Sequence, residues 1–282
     1  MPLITLLSDW GQDDPYLAEV KLRICSLMPD CRILDISHGL ERDDLVGAAF
    51  MMHSLYPAMP EGAIHILGMQ DIAGSNLPHL AVRFGSQVFL AADNGFFEYF
   101  GWISGRKPDE IYEIDVCQEP DFEGLDVYTF PSRDLFPKVA AMLARGEGLE
   151  RLGHPVSLSL KAMPSPKKSV RVLKDGYGKP IGCWMTGEIL YIDRFGNACT
   201  NIRKSDYEEW IREYPFNCIY IGGKKLKKPP VKAYQDVSEG SLLGLFLKNG
   251  FLEISICGGH AANLLGLRRG SAVSVAFGQE AD

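Results

Sequence analysis

The start of the chain alternates between apolar runs and polar breaks, which is the pattern of a strand followed by a helix. Residues 3–7 (LITLL) form a short apolar run, and the polar break SDWG follows at 8–11. Apolar residues then return at helical spacing, at Leu17, Val20, Ile24 and Leu27. This pattern predicts a buried strand whose carboxyl end carries the break, at the edge of the sheet where α/β proteins hold their ligands.

Capping signals predict where the first two helices begin. Asp13 or Asp14 can cap the first helix, and Pro15 suits its first position. Asp43 and Asp44 precede the next apolar segment, and they predict the cap of a second helix.

The other apolar segments of the first half continue the alternation. They predict strands at 31–36, 63–67, 80–84, 87–91 and 110–116. A further helix is predicted up to residue 145, starting near Pro131 or Ser132. The mixed apolar character of 31–36 suits a strand that is covered on both faces. Strands alternating with helices indicate a mainly parallel α/β sandwich.

The pattern of predicted elements changes near residue 163. The segment 163–168 (MPSPKK) is rich in Pro and Lys, which indicates a linker. Short strand-like segments with glycine turns follow it, at 170–173, 189–192, 218–221, 242–246, 252–257 and 272–277. One capping box, Ser205 with Glu208, predicts a short helix. We therefore expect an N-terminal α/β domain over residues 1–165 and a C-terminal small β-barrel domain over 166–282.

Charge and composition argue against several classes of partner. The formal net charge of −7 argues against a nucleic-acid backbone, and the basic run 224–228 after Gly222-Gly223 fits a solvated hairpin turn. The seven cysteines form no CxxC pair, which favours reduced thiols in a cytosol. No signal peptide or membrane span is recognised, so we expect a cytoplasmic protein without a membrane partner. The six histidines lack metal-binding spacing, so neither a metal nor a cofactor is expected.

Two polar motifs lie where strands are predicted to end. Asp9 can accept hydrogen bonds from two neighbouring hydroxyls, such as those of a ribose, or it can be a turn residue that caps the next helix. Asp193, Phe195 and Asn197 offer a carboxylate, a stacking ring and an amide, a combination that suits a purine nucleoside with a charged tail. The five-residue segment 193–197 (DRFGN) also fits a plain β-turn.

A third motif lies at the predicted start of a helix. Backbone amides of residues 130–134, with the hydroxyl of Ser132, can hold an anion or polarise a water molecule. Ordinary helix capping explains the same residues.

Taken together and in order, the motifs resemble those of the S-adenosyl-L-methionine hydroxide adenosyltransferase family, which includes the fluorinases and chlorinases. The resemblance covers nearly the whole chain, through LLSDWGQDDPYLAEVK, ILDISHGL, GAIHIL, ADNGFF, TFPSRDLF, YIDRFGNACTNI and LEISICGGHAANLLGLRRG. It implies an N-terminal α/β domain, a C-terminal β-barrel, and a homotrimer that binds a small adenosyl ligand between neighbouring subunits. S-adenosylmethionine is then a substrate, and water or hydroxide displaces methionine at C5′ to give adenosine and L-methionine.

The resemblance also implies roles for residues of the first half. Asp9 holds the ribose hydroxyls, and Trp10 belongs to the same substrate-binding set. Phe130 and Ser132 lie near the reacting C5′ position.

In the second half the resemblance assigns the methionine and adenine ends of the ligand. Asp193 meets the methionine amino group, while Phe195 and Asn197 pack on and hydrogen-bond the adenine. The backbone around Gly258 also lines the adenine pocket.

The chain departs from the family's hydrolases at the residues associated with water. Their His falls at Pro131, and their Arg falls at Leu77 or Pro78. Their Asp falls at Gln70, or at Asp71 if a one-residue gap is allowed. The candidate catalytic residues are Asp71, Ser132 and His79, the last of which lies next to the Arg position.

These departures keep two other functions open. One is a non-catalytic homologue that binds adenosine or S-adenosylmethionine. The other is an enzyme that uses a different adenosyl substrate or nucleophile.

Overall fold

A computed structural model describes residues 2–70, 77–115, 127, 129–156 and 160–279 of the chain. The chain divides into two compact units, Met1–Met163 and Pro164–Asp282. Within the described ranges, no helix is both long enough and apolar enough to cross a membrane.

Short apolar runs of the first unit form strands, and the longer segments with helical spacing form helices. The strands are β1 (Leu3–Ser8), β2 (Arg32–Ser37), β3 (Ile64–Gly68), β4 (His79–Phe84), β5 (Gln87–Ala92), β6 (Glu110–Ile114) and β7 (Gly153–Pro155). The helices are α1 (Tyr16–Leu27), α2 (Leu45–Leu55), α3 (Phe96–Ser104), α4 (Pro131–Asp134) and α5 (Phe136–Ala144). Two 3₁₀ turns lie at Tyr56–Ala58 and Leu149–Arg151.

The seven strands form one sheet in the order β2-β1-β3-β5-β4-β6-β7. Strands β2, β1, β3 and β5 are parallel, while β4, β6 and β7 pair antiparallel with their neighbours. The α/β class is confirmed, but the sheet is mixed rather than mainly parallel. The reason is the two-residue turn between Phe84 and Gln87, because a connection this short joins only antiparallel strands.

Helices cover both faces of this sheet. Helices α1, α4 and α5 contact one another on one side, where Ile4 and Leu6 of β1 are buried among the apolar residues of the core. Helices α2 and α3 contact each other, and the rings of α3 pack on Phe89 of β5. The alternation of side chains along β1 thus fixes which residues face each layer.

Two sequence predictions in this unit are wrong, and one is confirmed. Pro15 is the N-cap of α1 and no side chain caps this helix, so neither Asp13 nor Asp14 has the predicted role. Strand β2 is an edge strand with exposed residues, Leu34 among them at 45% exposure, and is not covered on both faces in this chain. The cap of α2 is confirmed, because Asp44 accepts a hydrogen bond from Gly47 N at 2.7 Å.

The second unit is built mostly from strands. They are β8 (Ser169–Lys174), β9 (Pro180–Ile192), β10 (Ala198–Arg203), β11 (Phe216–Ile221), β12 (Lys224–Leu226), β13 (Leu242–Phe246), β14 (Phe251–Ile256) and β15 (Ala272–Gly278). Its helices are α6 (Lys204–Glu213) and α7 (Ala261–Leu265), and a 3₁₀ turn lies at Tyr234–Asp236.

These strands form a nearly closed antiparallel sheet, which confirms the predicted barrel. Their order is β12-β11-β15-β9-β10-β14-β13, and β8 pairs with β9. The 13-residue strand β9 pairs with three other strands. Its first part pairs with β8 and β15, and its last part pairs with β10. The predicted hairpin is present as β11–β12, but its turn is Gly222-Gly223, and the first three residues of the basic run form strand β12 rather than the turn.

The predicted capping box of α6 is wrong by two positions. The N-cap is Arg203 rather than Ser205. The carboxylate of Asp206 accepts from Arg203 N at 3.1 Å, so Asp206 takes the N3 role that was predicted for Glu208, in a helix that starts two residues earlier.

Candidate functional site

The end of β1 places Asp9 at the carboxyl edge of the parallel strands. The residues of β1 that precede it are buried in the sheet, whereas Asp9 itself is partly exposed. Burial raises the pKa of the Asp9 carboxyl above its ordinary value, and the negative charge of Asp43 adds to this effect while Arg42 opposes it. A carboxylate with an open side and limited solvation is suited to accept hydrogen bonds from a ligand.

Trp10 is fixed on three sides. Its indole lies against the backbone of Gly68, where a Cβ atom would be 1.9 Å from Cζ2 of Trp10. The ring is stacked parallel to His38, with a centroid distance of 6.2 Å, and Phe130 meets it edge-on at 5.3 Å. Only glycine at position 68 leaves room for this position of the indole.

The segment 130–134 lies beside residues 8–11, which we call the Asp9 loop. Phe130 contacts Trp10 and also meets Tyr16 edge-on at 5.7 Å. Arg133 lies over the Phe130 ring at 5.2 Å and pairs with Glu19 of α1 at 3.0 Å. Two motifs that are about 120 residues apart in sequence are therefore brought together around one aromatic cluster.

The amides of the 130–134 segment do not form the predicted anion site. Helix α4 is a single turn, and the N–H groups of Arg133 and Asp134 both donate to the Phe130 carbonyl. Pro131 has no N–H to offer. Ser132 is fully buried at 0% exposure, so its hydroxyl lies below the surface.

The end of β3 and the loop before α2 contribute two unusual backbone conformations. Asp43 has a φ of 69° and Gln70 a φ of 47°, and these are the two non-glycine residues with positive φ in the described part of the chain. The Gln70 side-chain amide donates to Asp43. Such conformations are costly and persist where surrounding structure holds them, often next to functional groups. The predicted catalytic Asp71 lies outside the described residues.

His79 begins β4, on the same edge of the sheet. It pairs with Ala92 at the carboxyl end of β5, and its ring meets Phe136 edge-on at 5.7 Å. Burial lowers the pKa of His79, so its imidazole is neutral at neutral pH. A neutral imidazole is able to accept a proton.

Sequence reasoning missed His38 as a candidate site residue. It directly follows β2, is 2% exposed, and lies behind Trp10. Its segment ILDISHGL was noted only as part of the family resemblance. Spacing alone gives no sign of the contacts of this ring, because they are made with residues of another strand.

In the second unit, residues 193–197 form a tight turn between β9 and β10, which we call the Asp193 turn. Asp193 Oδ1 accepts from Phe195 N at 2.9 Å and from Asn197 N at 2.8 Å, and Oδ2 accepts from Asn197 Nδ2 at 2.9 Å. Asn197 is buried, whereas the Phe195 ring is 75% exposed. The two interpretations of this segment, a plain β-turn and a ligand-binding motif, are therefore compatible. The turn holds an exposed aromatic ring beside polar groups that are hydrogen-bonded in place.

The turn before α7 packs against the Asp193 turn. Ala262 N donates to Gly196 O at 2.9 Å, and a Cβ atom on Gly196 would lie 2.0 Å from His260 Nδ1. Gly258 belongs to this turn and has a φ of 67°, a left-handed conformation that glycine adopts without strain. The structure thus brings Gly258 and the Asp193 turn to the same end of the barrel.

A buried carboxylate lies on the neighbouring strand β14. Glu253 is 3% exposed and accepts from Tyr234 Oη at 2.5 Å and from Ser255 Oγ at 2.6 Å. Burial, followed by the negative charge of Glu253, raises the pKa of Cys199, which therefore stays a protonated thiol at neutral pH. Sequence analysis gave no sign of this cluster, because alternation along β14 does not distinguish a buried acid from a surface one.

No group of three or more histidine, cysteine or carboxylate residues in the described ranges is arranged to hold a metal ion.

Comparison with known proteins identifies similar chains. The profile of the SAM hydroxide adenosyltransferase N-terminal domain matches residues 4–153, and that of the C-terminal domain of the same name matches residues 187–274. An (R)-S-adenosyl-L-methionine hydrolase of Thermus thermophilus is 28% identical over 276 residues, 96% of this chain and 98% of the relative. A fluorinase of Nocardia brasiliensis is 23% identical over 98% of this chain and 97% of its own length. The crystal structure of a conserved protein from Thermotoga maritima has a TM-score of 0.81 and 27% identity, and covers 96% of this chain and 99% of that one.

Proposed function

This chain belongs to the SAM hydroxide adenosyltransferase family, and on that premise we propose that it is an S-adenosyl-L-methionine hydrolase. Water or hydroxide attacks C5′ of S-adenosylmethionine, or of a related 5′-substituted adenosine, and the bond between C5′ and the leaving group breaks. From S-adenosylmethionine the products are adenosine, L-methionine and one proton. C5′ exchanges its bond to sulfur for a bond to the water oxygen, the sulfur keeps the electron pair of the broken bond, and the water loses one proton. In this proposal neither a metal nor a cofactor takes part.

One observation carries this proposal. The Asp9 loop and the segment 130–134 meet through the edge-on contact between Trp10 and Phe130 at 5.3 Å. A half-buried carboxylate therefore stands next to an aromatic wall at the ligand edge of an α/β sheet. Carboxylate oxygens accept the two hydroxyls of a ribose, and the wall excludes water from the adjoining C5′ atom.

The leaving group makes the chemistry undemanding. A sulfonium releases a neutral thioether, so the protein mainly has to hold the attacking water in line with the C5′–S bond and limit its solvation. In this proposal Phe130 borders C5′, and a proton acceptor takes the proton of the water. The hydroxyl of Ser132, which is 0% exposed, lies below the surface and does not contact the ligand. The acceptor is Asp71, or the neutral imidazole of His79.

The second unit supplies the adenine and methionine contacts in this proposal. The exposed ring of Phe195 stacks on the purine, and Asn197 keeps its amide oxygen for the adenine, since its nitrogen donates to Asp193. Asp193 meets the methionine amino group, and the backbone at Gly258 borders the purine. A homotrimer with sites completed by neighbouring subunits, without nucleic-acid or membrane partners, belongs to the same proposal.

A labelled-water assay tests the reaction. Purified protein is incubated with S-adenosylmethionine in H₂¹⁸O, and adenosine and methionine are followed by mass spectrometry. We expect equal amounts of both products with ¹⁸O in the 5′-hydroxyl of adenosine, and a strongly reduced rate for Asp9→Asn. A rate no higher than that of buffer alone would exclude the hydrolase, and adding fluoride or chloride to the same assay detects halogenated adenosine instead.

A non-catalytic binding protein is the second candidate. The family resemblance implies that Pro131 replaces the His of the hydrolases, and the Gln70 amide, a group that cannot act as a base, donates to Asp43. Calorimetry with S-adenosylmethionine and adenosine separates the two functions, because this candidate requires binding without turnover. The variant His79→Ala distinguishes the two proton acceptors: unchanged activity excludes His79.

A further inference from the structure

His38 links β1 to β2 through polar contacts that run from the buried Ser8 to the exposed Asp35. Its Nδ1 atom lies 2.6 Å from Ser8 Oγ, and Ser8 is 0% exposed. Its Nε2 atom lies 3.2 Å from Asp35 Oδ1 with poor hydrogen-bond alignment, and Asp35 is paired with Lys21 of α1 at 2.5 Å. Because Ser8 is buried, its hydroxyl is not available to attack a ligand, so this Ser-His-Asp arrangement is not a nucleophile system.

The chemistry of Ser8, His38 and Asp35 decides which group donates and which accepts in each of these contacts. A carboxylate only accepts hydrogen bonds, so the neutral ring carries its proton on Nε2, facing Asp35. Nδ1 is then an acceptor, and Ser8 donates its hydroxyl proton to it. The same hydroxyl oxygen accepts from Trp10 N at 3.5 Å. Burial lowers the pKa of His38 and outweighs the opposing effect of Asp35, which keeps the ring in this neutral form at neutral pH.

His38 contacts the Asp9 loop at three places. Its side chain holds Ser8, at the start of the loop. Its ring is parallel to the indole of Trp10. Its backbone carbonyl accepts from Gly11 N at 2.8 Å, at the end of the loop. Asp9 lies between these three contacts, so its backbone has little freedom to move.

We propose that His38 is the positioning residue of the ligand site, which holds the Asp9 loop in the conformation that presents Asp9 and Trp10 to a ribose. The assignment of the ribose rests on the proposed function, whereas the restraint of the loop does not. His38 acts through Ser8, Trp10 and Gly11, and it need not touch the ligand.

The chain offers a matched control in His65. This second buried histidine also bonds a hydroxyl of β1, since its Nδ1 lies 2.7 Å from Thr5 Oγ1, and its Nε2 lies 2.9 Å from Gln87 Oε1. It is 0% exposed and packs on Phe89 in the core, away from the strand end. Replacing His65 therefore reports what loss of a buried histidine costs without disturbing the Asp9 loop directly.

Hydrogen exchange tests the restraint without any ligand. The full-length variants His38→Leu, His38→Asn and His65→Leu are compared with the wild type by mass spectrometry of the peptide that covers residues 8–14. We expect His38→Leu to accelerate exchange in this peptide, and His38→Asn to restore part of the protection, because its amide oxygen replaces Nδ1 as an acceptor for Ser8. His65→Leu should leave this peptide unchanged. Equal exchange in His38→Leu and His65→Leu would overturn the proposal.

Calorimetry with adenosine tests the consequence for the site. The affinity of His38→Leu should fall by about tenfold or more, since a loosened Asp9 loop must be ordered again when the ligand binds, and that of His65→Leu should stay at the wild-type value. An unchanged affinity in His38→Leu would overturn the positioning role. If the wild type binds no adenosyl compound while the exchange difference remains, the proposed function fails and the restraint of the loop stands.

A third variant covers the case in which His38→Leu does not fold. Ser8→Ala removes only the hydroxyl that His38 holds. It should accelerate exchange in the same peptide and weaken adenosine binding. Wild-type exchange in folded Ser8→Ala would overturn the proposal.

Discussion

Asp9 combines the two properties that a ribose-binding carboxylate needs. It is accessible enough to meet a ligand, and buried enough that burial raises its pKa. Only its ionised form accepts hydrogen bonds from both hydroxyls of a ribose with both of its oxygens. The affinity for adenosine should therefore depend on the protonation state of this one group.

The pH dependence follows from the direction of that shift. Ligand binding favours the ionised carboxylate, so affinity is full above the pKa of Asp9 in the free protein and falls as the pH drops through it, by about tenfold per pH unit. Because burial raises this pKa above 3.8, the loss begins at a higher pH than for an ordinary aspartate. Calorimetry at pH values from about 4 to about 8, which cover acidic and neutral conditions, should show this fall in affinity for the wild type. The variant Asp9→Asn should bind adenosine weakly, and its affinity should not change over this pH range. A wild-type pH profile in Asp9→Asn would contradict the ribose-binding role of Asp9.

Phe195 is an exposed ring on a turn that is held by three hydrogen bonds to the Asp193 carboxylate. Stacking of a base on an aromatic side chain contributes about 1–3 kcal/mol. Phe195→Ala should weaken adenosine binding by about that amount while thermal stability stays at the wild-type value, because the ring is 75% exposed. Phe195→Tyr is the matched control and should retain the affinity. Equal affinities of Phe195→Ala and the wild type would remove Phe195 from the site.

At the scale of elements, the site depends on where strands end. Strand β1 ends at Ser8 and β3 at Gly68, and these two ends are paired in the sheet. The absence of a side chain at Gly68 lets the indole of Trp10 lie on the β3 backbone. The register between two strands therefore decides where Trp10 lies, and with it the aromatic wall.

The contact at Gly68 is testable with one methyl group. Gly68→Ala puts a Cβ atom 1.9 Å from Trp10 Cζ2, so the indole must move away. We expect weaker adenosine binding together with a change in tryptophan fluorescence, which Trp10→Phe in the same background should abolish. Gly62→Ala serves as a control for an added methyl group, because no atom lies within 4 Å of its Cβ position, although its φ of 73° adds backbone strain. An unchanged affinity in Gly68→Ala would show that the position of Trp10 does not matter for binding.

At the scale of the whole molecule, each unit carries one half of the proposed set of ligand contacts. The α/β unit has Asp9, Trp10 and Phe130, and the barrel has the Asp193 turn. The proposed homotrimer predicts a molar mass in solution of three times the 31.3 kDa of one chain. Light scattering coupled to size exclusion measures this mass directly. A mass of one chain at concentrations where the protein binds adenosine would contradict the trimer.

Much of the architecture could be predicted from the sequence. The apolar runs predicted most strands, including 80–84 and 87–91, and Gly222-Gly223 with the basic run predicted the β11–β12 hairpin. Helix α3 was missed, because its Phe-rich segment is buried on most sides and shows no clear polar face. The cap of α1 was misplaced, because adjacent candidates Asp13, Asp14 and Pro15 give signals that differ by only one position.

The sequence by itself determined the two-part organisation and the motifs that define the family, because local periodicity and turn residues act over short distances. Only the tertiary structure decided which motifs meet. It brings the Asp9 loop to Phe130 through Trp10, and it places His38 behind this loop. It also shows that residues 131–134 form a single helical turn instead of the predicted anion site. The physical reason is that sheet register and packing fix contacts between residues far apart in sequence, and no local pattern encodes these distances.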